Sequence, residues 1–238
     1  MKIAPVLATS LLFGLAACSN SSDPGPEQET GLDADGEGIA DISSEPNPDG
    51  VPYPTDNIGT TARRGEKPGN RIANFAFLGY PNGDQSQGLQ KISLAKYFDP
   101  TGQRYKIIHI QAAGVWCSAC QNETRAVVPI KEELEAKGAI WLVSIAEGGT
   151  IGVPSTKADM DGWIKRFESP YTHWLDPGNK NLGPFYDATA LPWNANIDAT
   201  TMEILTAGTG GVADPSGIHR EIDEALAKAA TSKLRSPQ

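Results

Sequence analysis

Two cysteines set two residues apart, where a strand-like run meets a helix-like run, constrain this chain more than any other feature. Residues 105–111 (YKIIHIQ) read as a strand, and Trp116-Cys117-Ser118-Ala119-Cys120 follows, opening a helix expected to reach about Lys137. A helix N-terminus carries unpaired N–H groups and a partial positive charge, which favour thiolate over thiol. Thiolate is the attacking species in disulfide exchange, so this position turns a cysteine into a nucleophile near neutral pH. A purely structural bridge is the other reading of the pair, but so short a loop removes little entropy from the unfolded chain. A structural zinc site needs four ligands where the pair supplies two. His109, His173 and His219 are not spaced as a ligand pair, so no metal and no cofactor is expected.

The third cysteine belongs to the start of the chain. A short basic start, Met1-Lys2, precedes an apolar stretch from Ile3 to Leu15, too short to span a bilayer as a stable helix. Small residues then lead into Cys18, the layout of a secretory signal with a small-residue cleavage site. The arrangement resembles the bacterial lipoprotein signal, which implies removal of residues 1–17, acylation of Cys18 and a protein held outside the cytoplasm on a lipid bilayer. An ordinary signal peptide with a chance cysteine is the alternative. Ser19 after the cysteine resembles signals for outer-membrane sorting, which in a Gram-negative cell would face the chain to the periplasm.

Residues 19–56 contain ten acidic side chains, from Asp23 to Asp56, and no Lys or Arg. The formal net charge of the whole chain is -9, so the remainder is close to neutral and the acidity belongs to this segment. So polar and like-charged a segment cannot bury enough apolar surface to fold, and residues 18–56 are expected as a lipidated N-terminus with an extended linker. The linker is either a tether that gives reach or a solubilising spacer. With no basic patch beyond Arg63-Arg64, nucleic acid is not an expected partner. Residues 57–238 then form one domain, with its core at about 68–230.

Within that domain, strand and helix patterns alternate. Residues 74–80 read as a strand, 92–98 as a short helix or turn, 139–146 as a strand buried on both faces, 156–168 as a helix and 172–175 as a short strand. Residues 191–197 and 202–205 read as a hairpin. Asp214 with Pro215 caps a last helix whose apolar face is Ile218, Ile222, Ala225, Leu226 and Ala229. Such alternation argues for a layered α/β fold around a central sheet.

The order of these elements, with WCxxC opening the first long helix and Leu191-Pro192 opening a late hairpin, resembles the thioredoxin fold. It is most similar to the membrane-tethered TlpA/ResA-like thiol-disulfide oxidoreductases, over about residues 68–230. The resemblance implies a three-layer sandwich with a central mixed sheet flanked by helices, Cys117 as the exposed nucleophile, Cys120 as the resolving thiol, and a redox-active Cys117–Cys120 disulfide. It also implies that Pro192 is a cis proline facing the disulfide, with the backbone of Leu191 pairing with substrate; a turn proline of no such role is the alternative. A glutamate three residues after the second cysteine recurs in this branch, and Glu123 stands there. Glu123 is then either a partly buried carboxylate exchanging a proton with Cys120 or a solvated acid suited to the helix dipole. Trp116 is expected beside the reactive sulfur, and Trp193 either shapes the substrate groove or only packs.

Departures from the pattern are as informative. Ser118-Ala119 replaces the common Gly-Pro, so the potential cannot be carried over, and Gln111 stands where thioredoxin buries an acid. Pro129 falls later in the helix than the family's kink. The reading that results is an extracytoplasmic reductase of protein disulfides, its partners a disulfide-containing client and a membrane thiol-disulfide electron donor. A peroxide-reducing redoxin is a second reading, against which stands Gly114, where such enzymes place threonine. A copper-binding or redox-inert envelope lipoprotein is a third, with His173 and His219 as candidate ligands.

Overall fold

A seven-stranded sheet in the order β2-β1-β5-β4-β3-β6-β7 organises the protein. The computed structural model describes residues 45–59, 64–186 and 190–235. The strands are β1 (Ala76–Tyr80), β2 (Gln90–Ser93), β3 (Ile107–Gly114), β4 (Ala139–Glu147), β5 (Thr172–Leu175), β6 (Trp193–Asp198) and β7 (Glu203–Thr209). The helices are α1 (Ser118–Val127), α2 (Lys131–Ala136), α3 (Lys157–Phe167) and α4 (Pro215–Ala230). β3, β4 and β5 run parallel, while β1 joins β5, and β6 joins β3, antiparallel. The sheet is therefore mixed, as expected.

Alternation along the central strands feeds two cores. Ile108, Ile110 and Ala112 of β3 face one; Ile107 and Ala113 face the other. All four helices contribute to the second core, through residues such as Val127, Leu134, Trp163 and Ile222. The first core draws on no described α-helix. It is closed by Tyr53, Ile72 and Phe75 from extended chain and by the short 3-10 turns Leu94–Tyr97 and Gly183–Phe185. The three layers are thus sheet, helices on one face, and turns with extended segments on the other.

Local chemistry accounts for the helix ends. Thr156 and Asp159 form a reciprocal capping box at α3, and Asp214 accepts from the Gly217 N–H with Pro215 at the first position of α4. The long helix expected through Lys137 divides instead. Val128–Ile130 form a 3-10 turn between α1 and α2, because Pro129 has no N–H to give to the preceding turn.

Two expectations are corrected. Residues 92–98 were expected as a short helix or turn, which the 3-10 turn Leu94–Tyr97 meets, but Ile92 and Ser93 belong to β2, Gln90–Ser93, paired with β1. The packed chain also begins earlier than residue 57. Tyr53 is 3% exposed, with its ring edge-on to Phe98 and its hydroxyl donating to the Ile72 carbonyl at 2.8 Å. Buried Asn47 donates to the Phe98 carbonyl, Asp49 pairs with Arg104, and Glu45 with Lys91. Residues 1–44, which include Cys18 and most of the expected linker, lie outside the described residues. No helix among the described residues is long and apolar enough to cross a membrane.

Candidate active site

Strand β3 ends at Gly114, and three residues later Cys117 is the N-cap of α1. Its backbone is extended (φ -77°, ψ 110°), and its Sγ lies 3.1 Å from the Cys120 N–H. Cys117 and Cys120 are joined by a disulfide, their Cα atoms 5.3 Å apart. Across from the sulfur lies Leu191, whose carbonyl oxygen is 3.4 Å from Cys117 Sγ, and the Leu191-Pro192 peptide bond is cis. Hence the structure brings Cys117, Cys120, Leu191 and Pro192 together from segments far apart in sequence.

Glu123 lies on α1 three residues past Cys120 and is buried, not solvated. Four donated hydrogen bonds reach its carboxylate: Gln111 Nε2 at 2.8 Å, Asn194 Nδ2 at 2.9 and 3.1 Å, and the Val212 N–H at 2.8 Å. Burial pushes its pKa up to about 7, and the Val212, Asn194 and Gln111 donors hold back a larger rise. A carboxyl group that titrates there changes charge across the neutral range in which a thiol must be deprotonated.

No protein-family model matches the chain, and no curated protein matches it. Among solved structures it is similar to a protein of Chlorobium tepidum assigned as thiol:disulfide interchange protein DsbE, with 16% identity and a TM-score of 0.50 over 67% of this chain and 98% of that one. It is similar to a Bacteroides thetaiotaomicron protein assigned as a protein disulfide isomerase, with 14% identity and a TM-score of 0.50 over 69% and 93%. A hypothetical protein of Sinorhizobium meliloti 1021 matches with 12% identity and a TM-score of 0.51 over 72% and 89%. The chain has a thioredoxin fold.

Within the thioredoxin fold the remaining expected residues divide. Trp116 flanks the cysteines, half-buried, and its Nε1 donates to Glu147 Oε2 at 2.5 Å; the same oxygen accepts the Gly152 N–H at 3.0 Å. The loop after β4 is thereby tied to the tryptophan beside the disulfide. Trp193 is a correction: it is 1% exposed and presents no surface to a groove. Alternation on β6 turns it with Ala195 and Ile197 into the helix-free core, where it stacks on Tyr186. Cys117 is also less open than an exposed nucleophile, at 2%, because Trp116 and Leu191 pack against the cluster that holds both cysteines.

Three contributors were not anticipated. Asn194 and the Val212 N–H anchor Glu123 from 71 and 89 residues away, and no local signal marks them. Gly211 is the third: a Cβ there would lie 2.9 Å from Pro192 Cγ and 3.3 Å from Glu123 Oε2, so only glycine lets this loop close over the site. Gly114 has a similar role, since a Cβ would meet Trp116 Nε1 at 2.8 Å. The two histidines considered for copper make contacts elsewhere. His173 is buried with Nδ1 2.8 Å from the Tyr171 carbonyl, and His219 on α4 meets Glu133.

Proposed function

We propose that this protein is an extracytoplasmic, membrane-anchored thiol-disulfide oxidoreductase that reduces protein disulfides. The observation that carries the reading is Cys117 Sγ at the N-cap of α1, facing the carbonyl of a cis Leu191-Pro192. In the reduced form a Cys117 thiolate accepts the Cys120 N–H and stands at the positive end of the helix. It attacks one sulfur of a client disulfide, forming a mixed disulfide and releasing the other client sulfur as a thiolate. Cys120 gives its proton to Glu123 and attacks Cys117 Sγ, which closes the Cys117–Cys120 disulfide and frees the second client thiol. Two electrons have passed to the client, and a membrane thiol-disulfide donor returns the pair to dithiol.

Three features support this reading. Leu191 presents its carbonyl at the sulfur, where an extended client strand has a main-chain partner. Ile151 and Val153, exposed at 69% and 49%, lie on the loop tied to Trp116 and give a client an apolar shoulder. Gly114 leaves no room for the threonine of peroxide-reducing relatives, because Trp116 occupies the space of its side chain. The lipoprotein-like start with Cys18 carries the proposal that the protein is acylated and works outside the cytoplasm.

The test is the reduction potential of the Cys117–Cys120 pair, equilibrated against dithiol buffers. A value near thioredoxin's, about -270 mV, supports a reductase. A value above about -150 mV reverses the direction of electron flow and overturns the reductase reading.

A further inference from the structure

Behind Glu123 lies a buried polar chain that the disulfide chemistry above does not use. His109 of β3 is fully buried and stacks on Trp141, with ring centroids 3.5 Å apart. Its Nε2 lies 3.1 Å from Asn194 Oδ1 and its Nδ1 lies 2.9 Å from Asn196 Oδ1. Each of these amides spends its nitrogen on a carboxylate. Asn194 Nδ2 donates to Glu123 and to the Gly210 carbonyl at 3.0 Å; Asn196 Nδ2 donates to Glu221 at 2.9 Å and to Thr206 Oγ1 at 3.0 Å.

The amide orientations follow from those partners. Turning Asn194 over would set its oxygen against the Glu123 carboxylate and the Gly210 carbonyl. Turning Asn196 over would set its oxygen against Glu221. With both carboxylates ionised, each amide therefore shows the ring an oxygen. A neutral imidazole has one N–H and one bare nitrogen, whereas an imidazolium donates from both. We propose that His109 is held as an imidazolium between Asn194 and Asn196 and is the counter-charge that lets buried Glu123 give up its proton.

Opposing forces act on the ring. Burial is the largest influence and pulls the ring's pKa below its ordinary value, while Glu221 and the two amides push the other way. The charged ring rests on the amide orientations, which leave no donor facing either nitrogen. The faces around it supply Trp141 from β4, Asn194 and Asn196 from β6, Thr206 from β7, Glu123 from α1 and Glu221 from α4. Among the described residues, the charged groups bonded to the two amides are both carboxylates, so a positive ring offsets one of two negative charges. An uncompensated buried charge is expensive, and pairing is what makes it tolerable. His109 is thus a positioning residue, moving no proton itself. Its function rests on the reading of Glu123 as the base for Cys120, but its charge does not.

The test begins with the oxidised full chain labelled with 15N in its histidines. At pH 8 a free imidazole is neutral. The expected result is one histidine with both ring nitrogens protonated at pH 8, its signal lost in His109→Gln. A single bare nitrogen on His109 at that pH overturns the proposal and leaves the disulfide-exchange reading untouched. The second readout is the pH profile of exchange at Cys120 in His109→Gln, expected to move upward by at least one unit, or about tenfold slower at pH 7. An equal loss at every pH marks a merely structural role and overturns it. A doubly protonated His109 in a protein without exchange at any pH supports the charge assignment and overturns the reading of function instead.

Discussion

Replacing Tyr53 by alanine is expected to destabilise the protein by about 4 kcal/mol, although the residue lies in a stretch whose composition reads as linker. The ring is almost fully buried against Phe98, and removing a buried aromatic ring costs about 3–5 kcal/mol. The area route agrees: a buried aromatic side chain hides about 150–250 Å², or roughly 4–6 kcal/mol at 25 cal/mol per Å², an upper bound. Tyr53→Phe keeps the ring and removes the hydroxyl that donates to the Ile72 carbonyl, so about 1 kcal/mol is expected. Val51→Ala is the control, since Val51 is exposed and about 0.5 kcal/mol or less is at stake. Urea unfolding of the oxidised protein separates the three, and at the thermal midpoint 4 kcal/mol corresponds to a fall of roughly 10 °C. Tyr53→Ala within 1 kcal/mol of the parent would refute the reasoning, because a ring with a solvated alternative of equal free energy is not a core residue. The corollary is that a chain begun at residue 57 loses this anchor, and its redox behaviour should be measured on a chain that keeps residues 45–56.

Other outcomes concern the site. Glu123 is neutral below its pKa of about 7 and anionic above it, and only the anion accepts a proton; closure of the mixed disulfide by Cys120 should therefore accelerate as pH rises through about 7, with that inflection gone in Glu123→Gln, as stopped-flow thiol exchange reports. Cys120→Ser should leave Cys117 able to attack but not to resolve, so mixed disulfides with clients accumulate on non-reducing gels, whereas Cys117→Ser should trap none. Gly211→Val places a side chain where Pro192 and Glu123 stand, and misplacement on the order of 1 Å is expected to lower the exchange rate on the order of 10²-fold; an unchanged rate would show that the loop yields freely. Trp116→Phe removes the bond to Glu147 that joins the cysteines' flank to the loop at Gly152, and hydrogen exchange at that loop should rise while the fold persists.

Much of the fold was legible because its signals are local. Residues 139–146 are apolar but for Ser144, as suits a strand covered on both faces, and Asp214-Pro215 announces a helix start. β2 was not legible, since Gln90-Lys91-Ile92-Ser93 shows no clear alternation and owes its state to pairing with β1. The cysteines were readable from their spacing, and Pro192 only through the resemblance. What surrounds Glu123 was not, because Asn194 and Val212 arrive through the sheet and a distant loop. Trp193 shows the complementary failure: adjacency to Pro192 in sequence suggested the groove, while the two-residue period of β6 turned the ring to the other side.

The early entry of the chain into the fold also sets where a tether of the proposed kind would pull. Asp49 grips Arg104, just before β3 begins, and Cys117 comes just after it ends. The eight residues of β3 lie between, about 26 Å of extended chain. A load arriving through the N-terminal segment would thus be borne at the far end of the central strand from the sulfur. Under the proposed function, mooring and cargo would occupy opposite poles, and a large client at Cys117 would not have to share space with whatever secures the chain upstream.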